Sequence, residues 1–469
     1  MSGGNLAVEK LRQYLREISP EARALLLREL ERGALSGNQL PGLELILDEL
    51  RAEQRTAGSS HERLDAPDRR FFLPTEPFLV DEEIPEHLQG RIVRSALPRI
   101  WTWIERDLMP AETQAFLRAT SDALAVGNTA KADQLVQDFQ SKALVAIEGA
   151  FAAVADDNKG RQRLTAQLGG ERAVEAAAEI VSIFQIRGNL REIAARIPVD
   201  IKNLADGELD SMRVFFEHPA VRRPEIFPYA LALLFSRLGV PAQILRLAAA
   251  SAGTDSAKKI AETPLAFAID LVVDEMGRAA VRLTREMRAN SVAEICVGIK
   301  RFHDLARGLA TEIEMSEEAR WGKRLSHLRA DTAALLRSRI DGLSGQVRRL
   351  LRPRPKEEAG IRGVVDSHAV ADVEAGLDIL RASRMYAAEV AVNEITLRLS
   401  SELETCLDTA TQALLESVRH ASTEDRPYQL SQLDAAIRFC SKVFGRRYAE
   451  LLAKAVEVAT QAERRAVQG

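Results

Sequence analysis

The sequence predicts an all-α protein, with an irregular multi-helical body and a long C-terminal hairpin of coiled-coil-like helices. Apolar residues recur every three or four positions over most of the 469 residues, which is the period of a helix. Aromatic residues make up only 5% of the chain, and Ala and Leu are abundant, a composition that favours helix over sheet. The most continuously apolar stretch, residues 224–276, divides at turn residues into three consecutive helices.

A chain of this length exceeds the size at which one hydrophobic core usually stops growing, so we expect several domains. Changes in composition and charge suggest five regions: short helices over 1–55, a Pro/Phe-rich extended strap over 56–96, a helical body over 97–319, a basic amphipathic helix and linker over 320–356, and a helical hairpin over 357–469. The first region is predicted from one-sided apolar residues and from Pro20, which suits the first position of a helix.

The strap is predicted from closely spaced Pro and Phe residues. Proline disfavours the helical region for the residue before it, so we expect no regular helix over 69–79. A solvated linker would not need three Phe in eight residues, and those are Phe71, Phe72 and Phe78. We interpret the segment as an extended strap laid into a groove of the helical body. A docking peptide for a partner protein is the alternative.

The helical body is centred on residues 224–276. Apolar side chains surround the predicted helix over 226–238, which indicates a helix that is buried on all sides. A second helix follows Pro241, and a third begins with Thr263 as its N-cap and Pro264 at its first position. This arrangement favours a helical core, but it does not indicate an activity.

Residues 320–356 carry a local charge of +9 in a chain whose net charge is −4. An apolar stripe at helical spacing, from Trp321 to Leu350, predicts a basic amphipathic helix. In one interpretation the stripe packs on the body and the cations pair with acids in this chain, with Glu76, Asp81, Glu82, Glu83 and Glu86 as candidates. In the other interpretation the cations bind an anionic membrane or nucleic acid. The candidate anion-binding residues are then Arg348, Arg349, Arg352 and Arg354.

The C-terminal hairpin is predicted to have arms over 369–421 and 428–466, joined at Pro427. Apolar residues spaced by threes and fours form a seam along the second arm, as in a coiled coil or bundle. This seam is longer than one partner helix needs, so we expect it to bind another protein or a second copy of this chain. The candidate residues are Leu433, Ile437, Phe444, Tyr448 and Leu451.

Local motifs for catalysis are largely missing from the sequence. No His-Glu-x-x-His pattern, phosphate-binding Gly-rich loop or Gly-x-Ser-x-Gly motif is found. Asp270 and Asp274 fall on one face of a predicted helix and could hold a divalent cation, but a second acidic cluster is not evident. We therefore expect no cofactor and favour a protein that is not an enzyme. A metal-assisted helical enzyme around these two residues stays as an alternative.

The composition also bears on the compartment. Charged residues near the N-terminus interrupt any signal-peptide core, and no apolar run approaches the roughly 20 residues of a membrane span. Three widely separated cysteines indicate a reducing environment, and Arg far outnumbers Lys, as in proteins of GC-rich bacteria. The favoured interpretation is a non-enzymatic, cytoplasmic, bacterial scaffold or adaptor that acts through protein–protein interaction, as a homo-oligomer or with a partner. Peripheral binding of anionic membrane or nucleic acid through residues 320–356 is the second alternative.

Overall fold

The computed structural model describes residues 66–352, 364–419 and 425–466, with side chains described as far as residue 460. The all-α class is confirmed, because helices cover most of these residues. The sheet found among them consists of two parallel strands of two residues each, β1 (Leu79–Val80) and β2 (Ile92–Val93). The predicted helices over 1–55 and the candidate Arg354 lie outside the described residues.

The chain divides into two compact units. Of the described residues, unit 1 comprises 66–76 and 94–187, and unit 2 comprises 77–93, 188–352, 364–419 and 425–466. These boundaries differ from those suggested by composition. In particular, the helices on both sides of the expected linker near residue 356 belong to unit 2.

Unit 1 is built from helices around an aromatic core. Its helices are α1 (Pro67–Phe72), α2 (Leu97–Trp103), α3 (Pro110–Ala125), α4 (Thr129–Ala153), α5 (Asn158–Leu168) and the first part of α6 (Glu171–Arg196). A π-helical turn, Ile104–Leu108, follows α2. Phe116 on α3 stacks on Phe139 of α4 with ring centroids 4.3 Å apart.

The expectation that residues 69–79 contain no regular helix is wrong. Pro67–Phe72 is an α-helix, and Leu73–Phe78 continues as a 3-10 helix. Pro67 stands at the start of α1, where its missing N–H costs no helical hydrogen bond. The α-helix ends before Pro74, so the proline rule sets the end of the helix and does not prevent it.

Unit 2 contains the apolar helices predicted within residues 224–276, but the third begins at Ala266 with Leu265 as its N-cap, and not at Pro264 with Thr263 as its N-cap. Its helices up to residue 351 are α7 (Asp206–Glu217), α8 (Phe227–Arg237), α9 (Ile244–Ala252), α10 (Ala257–Ile260), α11 (Ala266–Ala289), α12 (Val292–Glu312), α13 (Arg320–Ile340) and α14 (Leu343–Leu351). Every residue of α8 from Tyr229 to Phe235 is buried, as expected for a helix with apolar residues on all sides. The long helices α11 and α12 pack against each other.

The predicted basic helix over 320–356 is two helices instead of one. The chain breaks at Asp341–Gly342, between α13 and α14. Most of the apolar stripe is nonetheless buried, including Trp321, Leu336 and Val347. The periodicity therefore identified the buried face correctly, although it did not show the break.

The predicted hairpin arms are each interrupted as well. The helices after residue 364 are α15 (Ser367–Met385), α16 (Asn393–Arg419), α17 (Arg426–Val443) and α18 (Arg446–Ala466). A continuous second arm over 428–466 is wrong, because the chain turns at Gly445, whose φ of 94° no helix allows. α17 packs on both α16 and α18, and a coiled-coil hairpin is not confirmed.

Candidate interaction surfaces

The predicted seam divides at Gly445 into a covered half and an exposed half. On α17, Leu433 is fully buried and Ile437 is partly buried, and α17 packs against α15 and α16. On α18, Leu451 is 61% exposed and Val458 is 66% exposed. The first half of the seam is thus used within the chain, and the second half faces solvent.

The second half of the seam forms an apolar row, which we call the α18 stripe: Phe444, directly before the turn, and then Tyr448, Leu451, Ala455 and Val458 of α18. Spacings of three and four residues keep the four members on α18 on one face of that helix, and Phe444 joins them through its ring contact with Tyr448. The rings of Phe444 and Tyr448 lie 4.5 Å apart and are partly buried. A different face of α18, with Ala449, Leu452 and Ala459, is buried. The helix therefore has two apolar faces, and only one of them is covered.

A polar contact between α18 and α16 holds the start of the stripe. The phenol oxygen of Tyr448 donates a hydrogen bond to Oδ1 of Asp408 at 2.8 Å. This hydrogen bond, with smaller contributions from burial and from the charge of Asp408, raises the pKa of Tyr448 to about 12. The folded state therefore favours the neutral, hydrogen-bonded phenol of Tyr448 over its phenolate.

Charged residues of both signs flank the α18 stripe. They are exposed and lie on the side of the helix away from its buried face: Arg447, Glu450, Lys454 and Glu457. Their order along the helix is positive, negative, positive, negative. An alternating row of this kind can face its own copy in the antiparallel direction, because opposite charges then meet.

Two cations at the start of the basic region, Arg320 and Arg324, pair with acids of this chain. Arg320 pairs with Asp270 at 3.0 Å, and Arg324 pairs with Glu86 at 3.2 Å. Glu82, another candidate acid, instead pairs with Arg282 of α11 at 2.6 Å. Pairing with acids of the same chain therefore accounts for the cations at the start of α13.

Three later cations of the region have no partner among the residues that the structure describes. The side chains of Arg348, Arg349 and Arg352 are exposed and have no hydrogen bond or ion pair with the residues that the structure describes. Arg348 and Arg352, but not Arg349, line a groove of about 600 Å³ between α14 and α16. The charge pattern predicts these arginines as anion-binding residues but does not predict the groove, because its other wall, residues 401–413, is distant in the sequence.

The carboxylates proposed for a metal are engaged by donors of this chain. Asp270 accepts hydrogen bonds from the indole of Trp321 at 2.7 Å and from Arg320 at 3.0 Å. Asp274 accepts from Arg278, and Glu275 pairs with Arg301. Within the described ranges, no group of three or more His, Cys, Asp or Glu side chains is placed to hold a metal ion. The metal-assisted alternative thus has no ligand set at these helices.

Arg91 belongs to the charge network around Asp274. No pattern in the sequence predicts this role. Its guanidinium lies 4.7 Å from the centre of the Phe235 ring and 3.7 Å from a carboxylate oxygen of Asp274. Burial lowers the pKa of Arg91, whereas the nearby carboxylates raise it. The available signal was an arginine directly before the apolar pair Ile92–Val93, but sequence alone does not tell whether such a residue is buried.

The three phenylalanines proposed as a docking strap are buried in the folded chain. In unit 1, Phe71 contacts Trp101, Phe139 and Phe184 with ring centroids 5.2–5.4 Å apart. Phe72 is 5% exposed and packs edge-on to Phe71. In unit 2, Phe78 lies edge-on to Tyr229. These contacts support an internal packing role for the segment.

Among residues 66–352, 364–419 and 425–466, no helix combines the length and the apolarity that a bilayer crossing requires. Comparison of the chain with protein-family models, curated proteins and solved structures finds no match. Function must therefore be inferred from the surfaces of the molecule itself.

Proposed function

We propose that this protein is a non-enzymatic helical adaptor that associates with a second copy of itself through the α18 stripe. The observation that carries the proposal is the exposure of Leu451 and Val458 on a face whose neighbours are also apolar. Single exposed apolar residues are ordinary, but a contiguous row of them marks an interaction surface. From Tyr448 to Val458 the stripe extends about 15 Å along the axis of α18.

A second copy fits the stripe because the stripe is nearly symmetric about Leu451. In an antiparallel pair of α18 helices with its two-fold axis near Leu451, Tyr448 lies within one residue of the position opposite Ala455. With the axis one residue further along, at the level of Leu452, Arg447 lies opposite Glu457 and Lys454 lies opposite Glu450 of the other copy. Both the apolar and the charged contacts are self-complementary, as a two-fold interface requires.

Light scattering of the purified full chain tests this proposal. We expect a dimer at tens of micromolar and a monomer for the double variant Leu451→Asp with Val458→Asp, because each carboxylate would be buried without a partner. The matched control is Leu397→Asp, which changes a leucine on α16 that is 59% exposed but lies outside the stripe. A monomeric wild-type chain, or a dimer that the double variant leaves intact, would refute the proposal.

A cytoplasmic location is part of the same proposal. The three cysteines are unpaired, and Cys440 is buried with its pKa raised to about 12 by the loss of solvent around the thiol. Free, widely separated thiols are usual in a reducing compartment. A bacterial origin remains a prediction from the predominance of arginine.

Binding of an anionic membrane or nucleic acid is a second candidate function. The observation that favours it is the uncompensated charge of Arg348, Arg349 and Arg352. Affinity for phosphatidylglycerol vesicles or for duplex DNA should then fall steeply with salt, and all three arginines should contribute similarly. An absence of binding at low salt would exclude this candidate.

A further inference from the structure

The groove between α14 and α16 has one wall from each helix. The two helices run side by side in the same direction, because Asp341 pairs with Arg398 at 3.2 Å and Ser344 donates to Glu402 at 3.1 Å. The groove begins at the second of these contacts, with Glu402 in its lining, and has a volume of about 600 Å³, which is within the usual range for sites that bind small molecules. All residues considered in this site are within the described part of unit 2.

The floor of the groove is apolar. Leu351 is buried at its base, and Cys406, Ala410 and Ala413 line it from α16. Two threonines, Thr405 and Thr409, also line it, but each hydroxyl donates to the carbonyl oxygen four residues earlier at 2.9 Å. Because these hydroxyls are used by the backbone, the threonines offer mainly their methyl groups to a ligand.

The charge on the groove is positive. Arg348, in the last turn of α14, and Arg352, the residue directly after its end, both line the groove. Glu402 is the carboxylate among the lining residues, and it is already engaged by Ser344 and lies 3.9 Å from Arg398. Cations at the end of a helix also suit its dipole, but that effect does not explain the apolar groove beside them.

We propose that this groove binds an amphipathic carboxylate of the fatty-acid class. Arg348 and Arg352 hold the carboxylate by charge-assisted hydrogen bonds, and the hydrocarbon chain lies over Leu351, Cys406 and Ala410. Residues 401–413 of α16 span about 18 Å, so the groove suits an extended hydrocarbon chain. A ligand site of this kind is separate from self-association through the α18 stripe, and either can exist without the other.

Cys406 provides a direct test because it lines the groove and is only partly buried. The full chain is treated with iodoacetamide, and alkylation of each cysteine is followed by mass spectrometry, with dodecanoate as the probe. At ten times its Kd, dodecanoate should slow the alkylation of Cys406 about tenfold by occupying one site. Cys296 is also partly buried but lies outside the groove, so its rate is the internal control. Dodecanol, which lacks the charge, should protect Cys406 much less.

Substitutions then distinguish binding of dodecanoate in the groove from nonspecific attraction of anions to the positive surface. Arg348→Glu with Arg352→Glu should weaken the protection by dodecanoate at least about tenfold, since two charge-assisted hydrogen bonds are lost. Arg349→Glu reverses one charge in the same way, but Arg349 does not line the groove. This variant should therefore leave the protection by dodecanoate nearly intact. Ala410→Trp should block the groove and abolish protection, with circular dichroism confirming that each variant is folded. Failure of dodecanoate to protect wild-type Cys406, equal protection by dodecanol, or an equal effect of Arg349→Glu would overturn the proposal.

Discussion

The carboxylate of Asp274 accepts two hydrogen bonds from the guanidinium of Arg278, four residues later on α11, at 2.8 and 3.1 Å. Both side chains are nearly inaccessible to solvent, with 2% and 3% exposure. Arg91 approaches the same carboxylate, and Arg278 also donates to the backbone carbonyl of Glu82. The pair thereby fixes the segment 77–93 to the centre of unit 2.

Removal of the shared acid should be strongly destabilising. Asp274→Ala leaves Arg278 and Arg91 buried without an anion of their own, and breaking a buried pair in this way typically costs about 3–5 kcal/mol. We expect a loss of that size in the free energy of unfolding, measured by urea denaturation followed by circular dichroism. Asp304→Ala removes the exposed partner of Lys300 on α12 and should cost less than about 1 kcal/mol. Equal effects of the two substitutions would mean that the buried pair adds little to stability.

The aromatic contacts of Phe71 predict a second effect on stability. Phe71→Ala leaves a cavity among Trp101, Phe139 and Phe184, and substitutions of this type cost about 3–5 kcal/mol. Leu73 is the natural control, because it lies two residues away and is 61% exposed. Leu73→Ala should change the melting temperature only slightly. If Phe71→Ala were equally mild, the alternative of a free docking peptide would regain support.

Charge reversal tests the antiparallel register of the α18 stripe. Arg447→Glu and Glu457→Arg should each weaken the dimer, because like charges then face each other twice in a symmetric pair. Surface pairs contribute about 0.2–1 kcal/mol each, so we expect a rise of severalfold in the dimer Kd. The double variant restores opposite charges and should recover most of the affinity, as measured by analytical ultracentrifugation. A double variant as weak as the single ones would exclude this register while leaving association through the stripe possible.

The hydrogen bond from Tyr448 to Asp408 predicts a titration at high pH. Because the pKa of Tyr448 rises from 10 to about 12, the folded state holds this proton more tightly than the unfolded state. The resulting stabilisation is complete below about pH 10 and is lost as pH rises towards 12. Asp408→Asn should lower this pKa towards 10, as followed by the ultraviolet absorbance of the phenolate. The part of the absorbance change that is missing in Tyr448→Phe belongs to the Tyr448 phenol. An unchanged titration of that phenol in Asp408→Asn would show that the Asp408 carboxylate does not raise its pKa.

The sequence by itself determined the fold class and many of the buried faces. Residues 226–238 are apolar on every side, and the helix they form is buried on every side. The periodicity also places the apolar residues from Trp321 to Leu350 in one stripe, and most of that stripe is buried. These features follow from local periodicity, which states which side chains share a face of a helix. The same periodicity predicts the apolar row that becomes the α18 stripe.

Only the tertiary structure decided which of these faces are covered. Leu433 and Leu451 occupy equivalent positions in one seam, yet the first is fully buried and the second is 61% exposed. The difference arises because the chain turns at Gly445, which directs α18 away from the line of α17. Likewise, the network that joins Arg91 to Asp274 depends on contacts between distant segments. Periodicity reports the faces of each helix alone, whereas burial depends on which other helix packs against it, and that is a property of the whole fold.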